Sequence, residues 1–183
     1  MDKRKEARQQ VREKIVRALL DLMEEKSFSE ITVTEIVARA GVARQSYYRN
    51  FTSKEEVVEE FFEELRQEGL SRLRKEKPAD AVRWVAMILE LQRSRAREIL
   101  LLQRAGLGTL SMDNINRFAE EMLGDMPASS VERYKIYCHA GMVSNTCLTW
   151  LKNGAKEAPE ELARIICEFN ARDVLDRLDF SDL

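Results

Sequence analysis

A chain of 183 residues with 44% hydrophobic residues, only 7 Gly and only 3 Pro has the composition of a mostly helical globular protein with a core of ordinary size. Its apolar runs are short and broken by charge, and Met1-Asp2-Lys3-Arg4-Lys5 lacks the apolar stretch of a signal peptide, which argues against a membrane span and a secretory leader and places the protein in the cytoplasm. Cys138, Cys147 and Cys167 are an odd count without metal-ligand spacing, so neither a disulfide framework nor a metal site is expected.

The net charge of −2 conceals an asymmetry: up to Lys54 there are 12 Lys and Arg against 8 Asp and Glu, and beyond it 18 against 24. A basic module joined to an acidic body suits a protein with one end directed at a polyanion.

Residues 3–26 carry Ala7, Val11, Ile15, Ala18, Leu19, Leu22 and Met23 at steps of three and four, the pattern of a helix with one buried face. Thr32 stands three residues before Glu35 as a capping box, which opens a second helix at Val33. Gly41 ends that helix after Ala40, because the left-handed cap is nearly free for glycine. A third helix follows from Arg44 to about Phe51, too short to stand alone and therefore held by Val42, one tyrosine face and Phe51.

Two short helices about a glycine form a helix-turn-helix. In its second helix Arg44, Gln45 and Ser46 are the base-reading candidates, since Arg and Gln match guanine and adenine edges in the major groove. Tyr48 and Lys54 are the phosphate candidates, and Thr32, Thr34 and Tyr47 complete the DNA-facing set, Tyr47 being equally suited to packing inward. Thr52 and Ser53 with Glu55 and Glu56 give overlapping capping boxes for a fourth helix.

The run from Gly41 to Glu56 (GVARQSYYRNFTSKEE), preceded by Thr32-Val33-Thr34-Glu35-Ile36-Val37, resembles the DNA-binding domain of the tetracycline-repressor (TetR) family of bacterial regulators over roughly residues 8–60. Joint spacing of Phe28, Thr32, Ile36, Ala40, Gly41, Val42, Tyr48, Phe51 and Lys54 carries the likeness. Ala43 departs from it, because the family often has Ser or Thr there. The resemblance implies an all-α homodimer in which residues 1–52 form a three-helix DNA-binding domain and 53–183 a helical ligand-binding and dimerisation domain, about nine helices in all.

Beyond Phe62, helix four runs from Ser53 to about Arg74, and Pro78 starts a fifth helix with Val82, Trp84, Val85, Ile88, Leu89 and Leu91. Ser94 is placed to cap a sixth through Leu102, and Ser111 to open a seventh that ends near Gly124. An eighth begins at Ser129 or Ser130 and stops at Gly154; Pro159 opens a ninth whose apolar pattern continues through Leu178. These last two, about 129–153 and 159–177, resemble the dimerising helices of a TetR subgroup.

Dimerisation also has an independent reason: one short recognition helix contacts too few bases to select a site, whereas two heads about 34 Å apart impose a near-palindromic operator on double-stranded DNA. No cofactor is expected, and a small-molecule effector of unknown identity fits the body. Trp84, Met87, Leu91, Leu101, Met112, Phe118, Met122, Tyr137, Met142 and Asn145 are candidates for its walls, although core packing explains the same residues. The expectation is a ligand-responsive repressor. The competing reading is a partner-binding co-regulator on the same scaffold, which leaves the basic recognition helix without a use. An enzyme explains least: there is no nucleophile with a base at motif spacing, no glycine-rich phosphate loop and one histidine.

Overall fold

The computed structural model describes residues 3–123 and 131–169, apart from the side chains of Lys3, Lys5, Met122, Leu123 and Glu132. The described residues form nine α-helices and one 3-10 turn, with no strand, in agreement with the all-α expectation. In chain order these are α1 (Lys3–Glu25), the 3-10 turn (Phe28–Glu30), α2 (Val33–Ala40), α3 (Arg44–Tyr48) and α4 (Lys54–Glu76). Then come α5 (Ala81–Ser94), α6 (Ala96–Arg104), α7 (Gly108–Leu123), α8 (Val131–Lys152) and α9 (Pro159–Glu168).

Local chemistry sets most boundaries in the first 60 residues. Thr32 Oγ1 accepts from the Glu35 amide at 3.3 Å while Glu35 Oε2 accepts from the Thr32 amide at 2.9 Å, so two free donors at the start of α2 are satisfied reciprocally. Gly41 lies at φ 64°, ψ 36°, and the amides of Gly41 and Val42 turn back to the carbonyls of Ala38 and Val37. That is a Schellman closure, and it needs the left-handed conformation that glycine adopts without cost.

Three downstream boundaries differ from the sequence reading. The fifth helix opens after Asp80, whose Oδ1 accepts from the Arg83 amide at 2.8 Å; Pro78 lies outside it. Ser94 caps nothing: its hydroxyl donates to Leu91 O at 2.7 Å as the last residue of α5. The seventh helix starts at Gly108, before Ser111. Starts at Ser129 or Ser130 and the stretch of the ninth helix from 170 to 177 lie outside the described residues.

Helices α1, α2 and α3 enclose a small core of Ile15, Leu19, Ile36, Tyr47 and Phe51, closed from below by Val57, Val58 and Phe61 of α4. Past Leu65, α4 enters the body, where it packs on α7 and α5. In the body α5 packs on α9, with Val85, Ala86 and Leu89 buried on the first helix and Leu162, Ala163 and Ile166 on the second. A second joint between head and body is the ion pair of Glu24 on α1 with Arg97 on α6.

Candidate nucleic-acid interface

Helix α3 has five residues, and Ala43 at its start offers no side-chain cap. A segment this short keeps its pose only through its surroundings. Its inner face is Tyr47, fully buried, whose hydroxyl donates to Ser53 O at 3.0 Å and is pushed up to about 12 chiefly by burial. Tyr47 therefore does not face outward as a DNA contact; it is the peg of the recognition segment.

The outer face carries Arg44, Gln45, Tyr48 and Arg49, all exposed, with Ser46 at its edge. Arg44 Nη2 donates to the Tyr48 hydroxyl at 3.2 Å, and its guanidinium lies 5.7 Å from that ring's centre, so the two side chains stand together as a polar and aromatic pair. Thr32 and Thr34 are also exposed, at the start of α2.

The third helix stops at Tyr48, three residues short of the expected end. The cause is Asn50: its Nδ2 donates to Ser46 O at 2.8 Å, while its amide turns to Tyr47 O at 2.9 Å. A side chain that substitutes for the next helical amide ends the helix. Arg8 Nε then donates to Asn50 Oδ1 at 3.1 Å, and Arg12 Nη1 to Asn50 O at 3.0 Å. Arg12 also grips Glu60 of α4 with two donors, Nε at 2.7 Å and Nη2, and stacks over the Phe51 ring at 4.5 Å. The sequence reading missed this cluster. Its signal was Arg12 lying on the same stripe as Val16, Leu19 and Met23, at steps of four, three and four.

Lys54 is corrected from phosphate contact to internal tie. Its ammonium donates to the carbonyls of Phe28 and Ile31, each at 2.7 Å, and of Ser29 at 3.4 Å, above the Phe28 ring. These three acceptors take up the donors a phosphate would need.

The ten residues expected to line a body pocket divide. Met87 and Leu91 are buried in the core; Trp84, Leu101, Met112, Phe118 and Met142 are half-buried. Leu91 and Phe118 meet over Gly69, where an added Cβ would stand 3.4 Å and 3.6 Å from them. Two of the expected wall residues are placed otherwise. Asn145 is exposed, and the Tyr137 hydroxyl is engaged in the seam of α7 and α8, donating to Glu120 and accepting from Arg133 Nε. The Met122 side chain lies outside the described residues.

Buried atoms without partners occur in the body on three helices: both amide atoms of Asn114 and Oδ1 of Asn116 on α7, and the indole nitrogens of Trp84 on α5 and Trp150 on α8. Asn114 is 4% exposed and one helical turn from Phe118 on α7. A separate cleft of about 820 Å³ lies between α1, α4 and α6, bordered by Glu13, Asp21, Glu60, Glu64, Arg95 and Glu98; of the expected pocket residues, Leu101 reaches it.

Residues 15–61 match the family of bacterial regulatory proteins of the tetR family. No curated protein sequence matches the chain. Among solved structures, a TetR transcriptional regulator from Streptococcus agalactiae 2603V is similar at TM-score 0.63 and 19% identity, covering 90% of this chain and 96% of that one. The dihydroxyacetone kinase operon activator DhaS is similar at TM-score 0.57 and 17% identity, covering 86% and 92%. The transcriptional regulator FadR from Bacillus subtilis, in complex with stearoyl-CoA, is similar at TM-score 0.50 and 20% identity, covering 85% and 95%.

Proposed function

We propose that the chain, whose residues 15–61 match the tetR family of bacterial regulatory proteins, is a regulator of that family and acts as a homodimeric, ligand-responsive repressor of a near-palindromic operator. The head up to residue 52 reads DNA, and the body from 53 onward binds the effector and the second copy. The observation that carries the reading is the outer face of α3: Arg44, Gln45 and Tyr48 are exposed side by side on a segment whose other faces are fixed by Tyr47, Asn50 and Arg12. A rigid platform presenting a bidentate donor and an amide is what major-groove readout requires.

Dimerisation is supported by Val131, Tyr134, Ile165 and Phe169, large apolar side chains of α8 and the end of α9 that are 71%, 63%, 57% and 49% exposed. Tyr134, Cys138, Asn145 and Thr149 recur on one exposed face of α8, and a second copy covering that face would remove its apolar surface from water. An effector is supported by the unpartnered Asn114 amide beside Phe118. A buried amide without partners costs stability, and a guest with a hydrogen-bonding group recovers it. The acyl-CoA thioester in the FadR complex has such a group, together with an apolar chain.

The test is binding of the purified protein to duplex fragments from its own upstream region over a range of salt. A sequence-specific complex whose affinity falls steeply with salt, by about 0.9 log units per log salt for each neutralised phosphate, is expected. Absence of any sequence-specific complex at low salt overturns the reading.

A further inference from the structure

Helix α4 leaves the head and enters the body as one unbroken rod, so a displacement of its body end reaches the head along it, beside the Glu24–Arg97 joint of α1 and α6. Near the body its position is set by Arg66, paired with Glu63 on its own helix and Glu121 on α7, and by Gly69 against Leu91 and Phe118. Near the head it meets Arg12. We propose that Arg12 is a positioning residue that transmits the placement of α4 to the recognition segment, through the bridge Glu60–Arg12–Asn50; this rests on the DNA-reading function proposed above.

The chemistry of the bridge suits a relay. A guanidinium is planar and rigid, with donors fixed relative to one another. Two of them hold the Glu60 carboxylate and a third holds Asn50 O at 3.0 Å, so Glu60 cannot shift without turning the donor aimed at Asn50. Hydrogen bonds weaken steeply with misalignment, so a displacement of about 1 Å is felt at Asn50. Asn50 in turn holds Ser46 O at 2.8 Å, within α3 itself. The path therefore runs from α4 to the residue beside Gln45 without touching DNA. The side chains of Arg12 and Glu60 are 20% and 11% exposed, and the geometry directs this guanidinium at protein acceptors, whereas Arg44 and Arg49 stand exposed on the outer face.

The experiment compares wild type, Glu60→Gln, Arg12→Lys, Arg12→Gln and the double variant Glu60→Gln/Arg12→Lys on two duplexes: one selected by the wild-type protein from a random pool, the other its scrambled sequence. Glu60→Gln removes a negative charge, so long-range electrostatics alone makes it bind both duplexes more tightly. The bridge makes it bind the selected duplex about tenfold more weakly and the scrambled one unchanged. Arg12→Lys, which keeps the charge, gives the same loss, and the double variant is no worse than either single one, because each already breaks the relay. Equal or tighter binding of the selected duplex by Glu60→Gln overturns the proposal. So does a uniform loss in Arg12→Gln with a salt slope lower by about 0.9, which identifies a phosphate contact. Amide hydrogen exchange on the folded proteins gives a second readout: residues 44–51 exchange faster in Glu60→Gln while α2 is unchanged. Unchanged exchange overturns the relay even if no variant folds less well. If the wild type selects no duplex, the DNA-reading function fails, and the exchange arm still decides the bridge.

Discussion

Lys54 and Ile31 are joined by a 2.7 Å hydrogen bond in which the ammonium at the start of α4 donates to the carbonyl just after the 3-10 turn. With the Phe28 carbonyl as a second acceptor at 2.7 Å, this lysine fixes where α4 begins relative to α1 and α2. Replacing it by alanine leaves carbonyls without their charged donor. Lys54→Ala is expected to lower the unfolding free energy by about 1–3 kcal/mol in urea denaturation. Its salt slope in DNA binding should match the wild type, and a slope lower by about 0.9 would return Lys54 to the phosphate contacts.

Gln45 has the opposite character, exposed on the outer face of α3. Gln45→Ala is expected to leave the thermal midpoint unchanged and to alter base preference at one operator position by about 1–3 kcal/mol, read by selection from random duplexes. An unchanged preference profile would remove Gln45 from the base-reading set.

Legibility followed the range of the interactions. The start of α2, the turn at Gly41 and the start of α4 were readable because each is decided within four residues, by Thr32 with Glu35, by glycine in the left-handed region, and by Ser53 with Glu56. Asn50 ending α3 was not, because an asparagine side chain that captures a carbonyl four residues back looks the same in sequence as one facing water. Arg12 with Glu60, 48 residues apart, and Lys54 with Phe28, 26 apart, are long-range pairs that periodicity does not encode. Along α8 both faces carry apolar residues, so spacing placed Asn145 and Tyr137 inward, whereas Asn145 lies on the outer stripe and the Tyr137 hydroxyl is bound to Glu120.

Glu64 gives the pH dependence. It borders the cleft between α1, α4 and α6 with one carboxyl oxygen buried and unpartnered. Burial first, then the charges of Glu60 and Glu13, push it from 4.5 up to about 7, against Arg95 and Arg12, which pull it down. A carboxyl raised on folding favours its neutral form in the native state. Its stabilising contribution is present below about pH 4.5 and is lost as pH rises through about 7. Glu64→Gln keeps the neutral shape at every pH. Allowing for partial exposure of the site, it is expected to gain about 1 kcal/mol over the wild type at pH 8 and much less at pH 5, by urea denaturation. A gain that does not grow with pH contradicts the assignment.

Asn114 separates stability from function in the body. Both of its amide atoms are buried and unpartnered, so an apolar residue of similar size removes the desolvation cost without leaving a cavity. Asn114→Leu is expected to raise the unfolding free energy by about 1–2 kcal/mol and to lose any thermal shift that a small-molecule effector proves to give the wild type. A destabilised variant would mean that the amide has partners in solution, and a wild type that shows no shift would direct the effector search to other chemistry.

Ile165 and Tyr134 test the assembly. Both side chains point outward, at 57% and 63% exposure, so changing them does not disturb the core in which Leu162, Ala163 and Ile166 of α9 pack on α5. Truncation to alanine would only trim the apolar area, whereas a charge also sets like against like across a two-fold axis, where each residue lies near its own copy or that of a neighbour. Tyr134→Glu/Ile165→Glu is therefore expected to sediment as a 21.2 kDa monomer at micromolar concentration with the helical circular dichroism of the wild type. Its operator affinity should fall by orders of magnitude while each head still binds DNA weakly, because linking two heads makes the second contact intramolecular. A variant that remains dimeric would place the interface on another face and leave the apolar stripe of α8 and α9 for a different partner.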